Sequence, residues 1–516
     1  MKRTRWIAGV ALAALSSLAA GSQLAAQDRD SSASAERCRV LANVQRPDLR
    51  ITAAEYIDPG PPWSFPASIF NMRLGPNANT VEEFCRVTGI VEEEIRFELW
   101  MPPEWNDRYQ QVGNGGLSGA INYPMLHEAL RRGYAAASTD TGHQTPNAFF
   151  EDAWLDGPAE RVENFGHRAH HLVTEQARAL VAEFYGEAPR FSYFNGCSSG
   201  GWQGLTEAQL YPEDYDGILA GAPANNFVRL QVYQLWLDAF ERRDPAGNLS
   251  DELQRLIATR GAAYCDPRDG LADGLVSHPE QCGFDPAVLQ CAPDASGECL
   301  TPAQVSRVRL LYGPRTSPGG ARMYPGNAVG NIAMFRFPPE MGTLAPMILK
   351  LVPPEEAARL TSDFDFDRDT PSLLERFGRN LGADDPDLVR FAARGGRMIV
   401  WHGWNDVLIS PYNSIDYYTR VGEAVGAEPR AGFMRLYMAP GVEHCSGGPG
   451  PDRFDMLSEL ERWVEQGRAP ERVVAETRVP GQVFRSRLLC PHPQIAVYRG
   501  GGSTDDAASF ECRAPS

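Results

Sequence analysis

Three short stretches of this chain carry residue types that can do chemistry together. Gly196-Cys197-Ser198-Ser199-Gly200 is a G-x-S-x-G pentapeptide, the sharp strand-to-helix turn that lifts a serine hydroxyl clear of a sheet for attack on an acyl carbon. Trp401-His402-Gly403-Trp404-Asn405-Asp406 sets an Asp just past an apolar run, and Pro440-Gly441-Val442-Glu443-His444-Cys445 sets a His in a Gly-rich loop after the next one. A serine needs a base, and the base needs an acid to hold its tautomer; where the serine stands on such a turn, they follow in the order Ser, acid, His. Ser198 is therefore the candidate nucleophile, Asp406 the acid and His444 the base. Cys197 precedes the serine and Cys445 follows the histidine. If Ser198 and His444 are in hydrogen-bond reach, these two cysteines fall within the roughly 7 Å Cα separation that a disulfide needs.

Such a site needs elements to position it. Residues 190–194 read as a short half-buried strand leading into the turn, and 202–210 as the helix that leaves it. Further strand-like runs lie at 110–112, 134–138, 217–220, 398–401 and 434–438, with helical patterns at 169–185 and 452–466. Strands alternating with helices predict an α/β domain with a mostly parallel sheet, here an α/β-hydrolase fold. From Ala222 to about Leu388 the alternation gives way to amphipathic helices, Pro and Gly turns and four cysteines. We read 222–388 as an inserted lid domain between catalytic segments 27–221 and 389–516. It would sit over the carboxyl ends of the strands, where α/β sheets bind ligands. Oxyanion donors are expected from the backbone N–H of Ser199 and from the Gly-rich loop 113–119, at Gly116 with Gly115 beside it.

Composition narrows the function classes. The N-terminus has a basic start and an apolar run from Ile7 to Ala20, followed by small residues; residues 1–26 read as an export signal, too short to span a membrane. The mature protein is expected in the periplasm or secreted, with no membrane span. Ten cysteines suggest five disulfides. Spacing pairs Cys265 with Cys282, Cys291 with Cys299 and Cys490 with Cys512, and Cys38 with Cys85 would tie the N-terminal arm to the body. A formal charge of −17 without an Arg-rich arm argues against nucleic-acid binding.

Other candidates carry a bland reading beside the sharp one. Residues 265–275 gather Asp266, Asp269 and Asp273 among glycines, which reads either as a calcium loop or as a solvated acidic turn. His167, His170 and His171 have helical spacing that suggests zinc, but no acidic or thiolate partner stands near, so a structural role is preferred. Asp140 and His143 form a second acid and histidine that precede the serine, and they are expected to hydrogen-bond within the core. His402, four residues before Asp406, is either a substrate contact or a buried histidine satisfied by backbone.

Taken together, the elbow 196–200, the insertion, residues 402–406 and His444-Cys445 resemble the tannase and feruloyl esterase family, which includes mono(2-hydroxyethyl) terephthalate hydrolases. The resemblance covers nearly all of the mature chain. It implies a bridged Cys-Ser, Asp, His-Cys constellation and all five cysteine pairs named above. It also implies a structural calcium held by the side chains of Asp266, Asp269 and Asp273 and the carbonyls of Leu271 and Leu275, and no organic cofactor. The implied substrate is a small aromatic ester of feruloyl, galloyl or terephthalate monoester type; Ile409, and His402 on the first of its two readings, are the candidate substrate-binding residues. Phe335, Phe337 and Trp236 are candidate ring contacts. Arg322, Arg336 and Arg359 are candidate partners for a second substrate carboxylate. In terephthalate-active members a Phe stands three positions after the acid, where this chain has Ile409. The rival readings are a non-catalytic binding protein of the same fold and a serine peptidase.

Overall fold

The computed structural model describes residues 32–60, 62–71, 79–293, 297–330, 347–477 and 484–515. The expected signal segment 1–26 and Phe335, Arg336 and Phe337 lie outside the described residues. Among the described residues, no helix is long and apolar enough to cross a membrane.

Period-two alternation places the sheet. Met398 and Val400 belong to one apolar cluster and Ile399 and Trp401 to another, as do Phe194 against Tyr193 and Leu436 against Tyr437. Successive side chains of a strand point to opposite faces, so each strand feeds two cores. Nine strands make the sheet: β1 (Leu49–Ile57), β2 (Phe84–Val91), β3 (Ile95–Met101), β4 (Arg108–Val112), β5 (Ala135–Thr139), β6 (Phe191–Cys197), β7 (Gly217–Gly221), β8 (Arg397–Gly403) and β9 (Met434–Ala439). Their order is β1-β2-β3-β5-β4-β6-β7-β8-β9. From β5 to β9 every neighbouring pair is parallel, and β1, β2, β3 and β5 pair antiparallel. Helix α1 (Ala169–Tyr185) covers one face through Val173, Ala177, Leu180 and Phe184, and α4 (Met456–Gln466) covers the other through Leu457, Leu460 and Trp463. Burying each such large apolar side chain contributes about 1.5–3 kcal/mol.

The mostly parallel α/β-hydrolase sheet is as expected, with three antiparallel strands, β1 to β3, that the apolar runs did not reveal. Their alternation is masked by charge. Arg86 of β2 and Glu98 of β3 form a half-buried ion pair at 2.5 Å, and the Trp100 indole donates to the same carboxylate at 3.0 Å. Helix α1 begins and ends where the sequence pattern placed it, whereas α4 begins at Met456, after an irregular 452–455.

Between β7 and β8 run the helices Phe227–Arg243, Asp251–Cys265, Pro302–Tyr312, Pro354–Ser362 and Phe366–Leu381. Leu249, Ile257, Leu300, Val305, Val308 and Leu311 give this segment an apolar cluster of its own. Phe227, Val232, Leu360 and Leu373 join the sheet's cluster instead. Five disulfides form, with the expected pairing and Cα separations from 5.0 to 6.0 Å.

Candidate active site

Strand β6 ends at Cys197, and helix α2 (Ser199–Leu210) starts two residues later, so Ser198 alone makes the turn. Its backbone, at φ 64° and ψ −121°, lies in a region L-residues rarely adopt. Hydrogen bonds from Ser198 N to the Gly221 carbonyl, at 2.9 Å, and from Trp202 N to the Ser198 carbonyl, at 3.0 Å, hold it there. A Cβ at Gly196 would come within 2.6 Å of the Gly200 carbonyl carbon, which is why the turn is glycine-flanked.

β8 and β9 deliver the other two side chains. Asp406 lies three residues past the end of β8 and His444 five past β9, with the two loops tied by a bond from Asn405 N to the Val442 carbonyl at 2.9 Å. Ser198 Oγ is 2.8 Å from His444 Nε2, and His444 Nδ1 is 2.6 Å from Asp406 Oδ2. The Cys197–Cys445 disulfide spans a Cα separation of 6.0 Å directly behind the serine and histidine.

The Asp406 carboxyl beside His444 is held ionised. Burial alone would push the Asp406 carboxyl up, but the neighbouring His444 and hydrogen bonds from His402 and His444 hold it well below the usual carboxylate range. The Asp406 side chain has no exposed surface, whereas that of His444 keeps 17%. The His444 ring thus reaches the surface, and the Asp406 carboxylate does not.

The start of α2 and the loop after β4 meet beside the serine. As the first helical residue, Ser199 has an N–H without an intrahelical acceptor. Its side chain donates to the Gly116 carbonyl at 2.7 Å, locking the loop after β4 to the start of α2. Gly116 adopts φ 60°, and a Cβ there would approach the Phe149 carbonyl oxygen to 2.4 Å. The loop's neighbouring N–H groups are used, Leu117 N by the Phe149 carbonyl and Ser118 N by the Gly115 carbonyl. His143, expected as a core residue, supports this loop by donating from Nε2 to the Leu117 carbonyl at 2.8 Å. Burial lowers its pKa to about 4, so the ring is neutral.

Several expectations need correction. His402 is fully buried, 3.0 Å from Asp406 Oδ2, and makes no surface for a substrate. Ile409 is 3% exposed and packs in the main apolar cluster; its N–H donates to Asp406 Oδ1 at 3.0 Å. Both stand behind the acid, because a tight turn after Asp406 folds the chain back onto the carboxylate. Arg322 pairs with Asp416 at 2.8 Å and Arg359 with Asp369 at 2.9 Å, so neither is an unpaired cation awaiting a substrate carboxylate. Trp236 is half-buried, and its ring lies 6.1 Å from that of Tyr233.

The three clustered histidines face different partners. His167 meets the Tyr211 hydroxyl, His170 the Gln111 amide and His171 the Asp214 carboxylate. Among the described residues, no group of three or more His, Cys, Asp or Glu is arranged to hold a metal ion. In the acidic loop, Asp266 Oδ1 accepts from Asp273 N at 2.9 Å and Gly274 N at 3.0 Å, and Asp269 Oδ2 accepts from Ser277 N at 2.6 Å. The Asp273 carboxylate meets the buried Arg487 guanidinium. Leu271 and Leu275 sit in the same loop, their N–H groups donating to Asp269 and Asp273.

The groups around Asp406 that sequence reasoning missed are the Leu408 N–H, which donates to it, and Ser414, which bonds His402. Ser414 lies on α3 (Pro411–Val425), and nothing in its spacing marks it.

Comparison with known proteins identifies the family. The family model described as tannase and feruloyl esterase matches residues 78–513. The chain is 35% identical to a mono(2-hydroxyethyl) terephthalate hydrolase from Piscinibacter sakaiensis, covering 85% of this chain and 86% of that protein. It is 30% identical to a probable feruloyl esterase B-1 from Aspergillus terreus, covering 90% and 93%. The solved structure of feruloyl esterase B from Aspergillus oryzae superposes with a TM-score of 0.80 at 25% identity, covering 93% of this chain and all of that one. With a matched model over most of its length and these relatives, the chain belongs to the tannase and feruloyl esterase family and is a carboxylic ester hydrolase.

Proposed function

We propose that this protein is an exported serine esterase that hydrolyses small esters of aromatic carboxylic acids, of feruloyl, galloyl or terephthalate monoester type. The observation that carries the catalytic part is the unbroken hydrogen-bond chain from Ser198 Oγ through His444 to Asp406. The names of the relatives support the aromatic acyl group. Five disulfides support an oxidising compartment.

In this reading His444 Nε2 takes the Ser198 proton as Oγ attacks the ester carbon, while the N–H groups of Ser199 and Gly116 receive the developing oxyanion. His444 then gives the proton to the departing alcohol, leaving an acyl-serine. A water, deprotonated by the same nitrogen, attacks the acyl carbon and releases the aromatic acid. Asp406 stays ionised throughout and holds the imidazole with Nδ1–H toward it. Segment 222–388 acts as the lid over this end of the sheet. No organic cofactor enters.

A calcium ion fits the donor chemistry of the acidic loop, through the side chains of Asp266, Asp269 and Asp273 and the carbonyls of Leu271 and Leu275. Burial, with the like charges of Asp273 and Asp266 adding to it, lifts the Asp269 carboxyl to about 6. A divalent cation would offset that repulsion and brace the loop that Arg487 ties to the C-terminal strands.

The test is steady-state hydrolysis of methyl ferulate, methyl gallate and mono(2-hydroxyethyl) terephthalate by the wild type and by Ser198→Ala. One dominant ester and a dead variant are expected. Equal activity in the variant, or cleavage of peptide amides in place of esters, would overturn the reading.

A further inference from the structure

The Asp406 carboxylate receives two imidazoles rather than one, and both reach the same oxygen. Oδ2 is 2.6 Å from His444 Nδ1 and 3.0 Å from His402 Nε2. Oδ1 accepts the N–H groups of Leu408 at 2.8 Å and Ile409 at 3.0 Å. His402 Nε2 also faces the Ile409 carbonyl at 3.1 Å. A nitrogen facing a carboxylate and a carbonyl has only acceptors before it, so it carries the hydrogen. His402 Nδ1, 2.7 Å from Ser414 Oγ, is then the acceptor, and the serine hydroxyl donates to it. Ser414 thereby fixes the tautomer that His402 needs in order to donate to the acid.

We infer that His402 is a positioning residue for the acid, tuning the pH range in which His444 serves as a base. The inference rests on the triad proposed above. Its physical basis is competition for one oxygen. A donor on Oδ2 draws charge away from the atom that faces His444, so the carboxylate stabilises an imidazolium at His444 less strongly than it would alone. The proton that His444 takes up in turnover is then held less tightly. Removing that donor strengthens the pull of Asp406 on the His444 proton, and the base is lost at higher pH as acidity rises. The same donor fixes the carboxylate plane, so that Oδ2 points at His444.

The surroundings leave this pair as the dominant charge interaction. Among the described residues, the charged and titratable groups that act most strongly on the Asp406 carboxyl are His444 and His402. Tyr324 lies within electrostatic range; burial, with Asp406 among the contributors, raises its phenol and keeps it neutral, and Arg315 stands beyond it. On α3 the facing group is the uncharged Ser414, and on β9 the residue in register with His402 is Met438.

The experiment compares wild type, His402→Phe, His402→Gln, Asp406→Asn and the double variant His402→Phe/Asp406→Asn. It uses p-nitrophenyl acetate and the best ester of the panel between pH 4.5 and 9. His402→Phe is expected to lower kcat on the order of 10-fold to 100-fold, as loss of an outer partner does at other sites, with KM nearly unchanged. Its acid limb of kcat/KM should move to higher pH. His402→Gln, whose amide N–H can reach Oδ2, should restore most of both. In the Asp406→Asn background His402→Phe should cost less than about 2-fold, because two residues acting through one group are not additive. An unmoved acid limb, a raised KM with kcat intact, or an undiminished cost in the Asp406→Asn background would overturn the inference. If His402→Phe fails to accumulate folded, Ser414→Ala replaces it, with the same direction of shift expected and a smaller size; an unmoved limb there would equally overturn the inference. Failure of the triad itself is read separately, from residual activity in Ser198→Ala.

Discussion

Asp140 and Asp406 stand just past the carboxyl ends of two strands of the same sheet, β5 and β8, and both are buried, at 3% and 2% exposure. Each has a histidine close by in sequence, yet their acidities part in opposite directions. Asp140 accepts the N–H groups of Arg96 and Gly142 on Oδ1, both at 2.9 Å, while Oδ2 has no partner among the described residues. His143 turns away from it, stacking on Trp154 at 3.9 Å. Burial therefore wins and lifts the Asp140 carboxyl to about 8. Asp406 meets the same burial with two N–H groups and two imidazoles, and stays ionised. Burial sets the default for a carboxyl at a strand end, and the number of donors decides whether it becomes a carboxylate fit to orient a base.

The largest effect that could break this contrast is on turnover. Asp406→Asn is expected to lower kcat about 10⁴-fold, since an amide cannot hold the productive tautomer of the base. Asp140→Asn, which swaps one neutral group for another at pH 7, should change kcat less than about 3-fold. Steady-state kinetics of the two purified variants on one ester measures both. Comparable losses in the two would mean that Asp140, not donor count, had been misjudged.

What could be read without coordinates follows the same line. The elbow at Ser198, the acid after β8 and the histidine after β9 were legible because each is a local pattern in a fixed chain order, and the Cys197–Cys445 pair tied them together. The place of His402 was not. A histidine four residues before an acid can face a cleft or the core, and only the turn at residues 406–409 and the hydroxyl of Ser414, on a separate helix, decide which. The antiparallel strands β2 and β3 escaped for a related reason. Arg86 and Glu98 pair across them, and paired charges inside a sheet look in sequence like surface.

A smaller effect of the Asp140 and Asp406 contrast appears in stability. The folded state keeps the Asp140 proton up to about pH 8, whereas the unfolded chain releases it near the ordinary Asp value of about 3.9. The folded state thus binds more protons between these limits, and stability falls as pH rises through them, by an amount on the order of 5 kcal/mol for this one group. Asn at position 140 cannot titrate, so Asp140→Asn should show a flatter dependence of Tm on pH between 5 and 9, crossing above the wild type at the alkaline end. Parallel Tm curves for the two proteins would remove Asp140 from the list of protonated carboxyls.

The acidic loop supplies the third case and the smallest expected effect. Asp269 is pushed up to about 6 by burial, against two backbone donors and with two neighbouring carboxylates adding to the rise. It has neither the donors of Asp406 nor the isolation of Asp140, and a cation is the partner that crowded carboxylates accept. Calcium should therefore raise Tm at pH 8, by roughly 3 °C when present at about 100 times its dissociation constant, and EGTA should reverse the rise. Below about pH 6 the folded loop takes up a proton at Asp269, the cation must displace it, and the gain should shrink. Asp269→Asn should abolish the calcium response at pH 8 while leaving ester turnover intact, because the loop is tied to the C-terminal strands through Arg487 and not to Ser198. A Tm indifferent to calcium, or a response that survives Asp269→Asn, would mean that the loop's own backbone N–H groups and Arg487 suffice to hold its carboxylates.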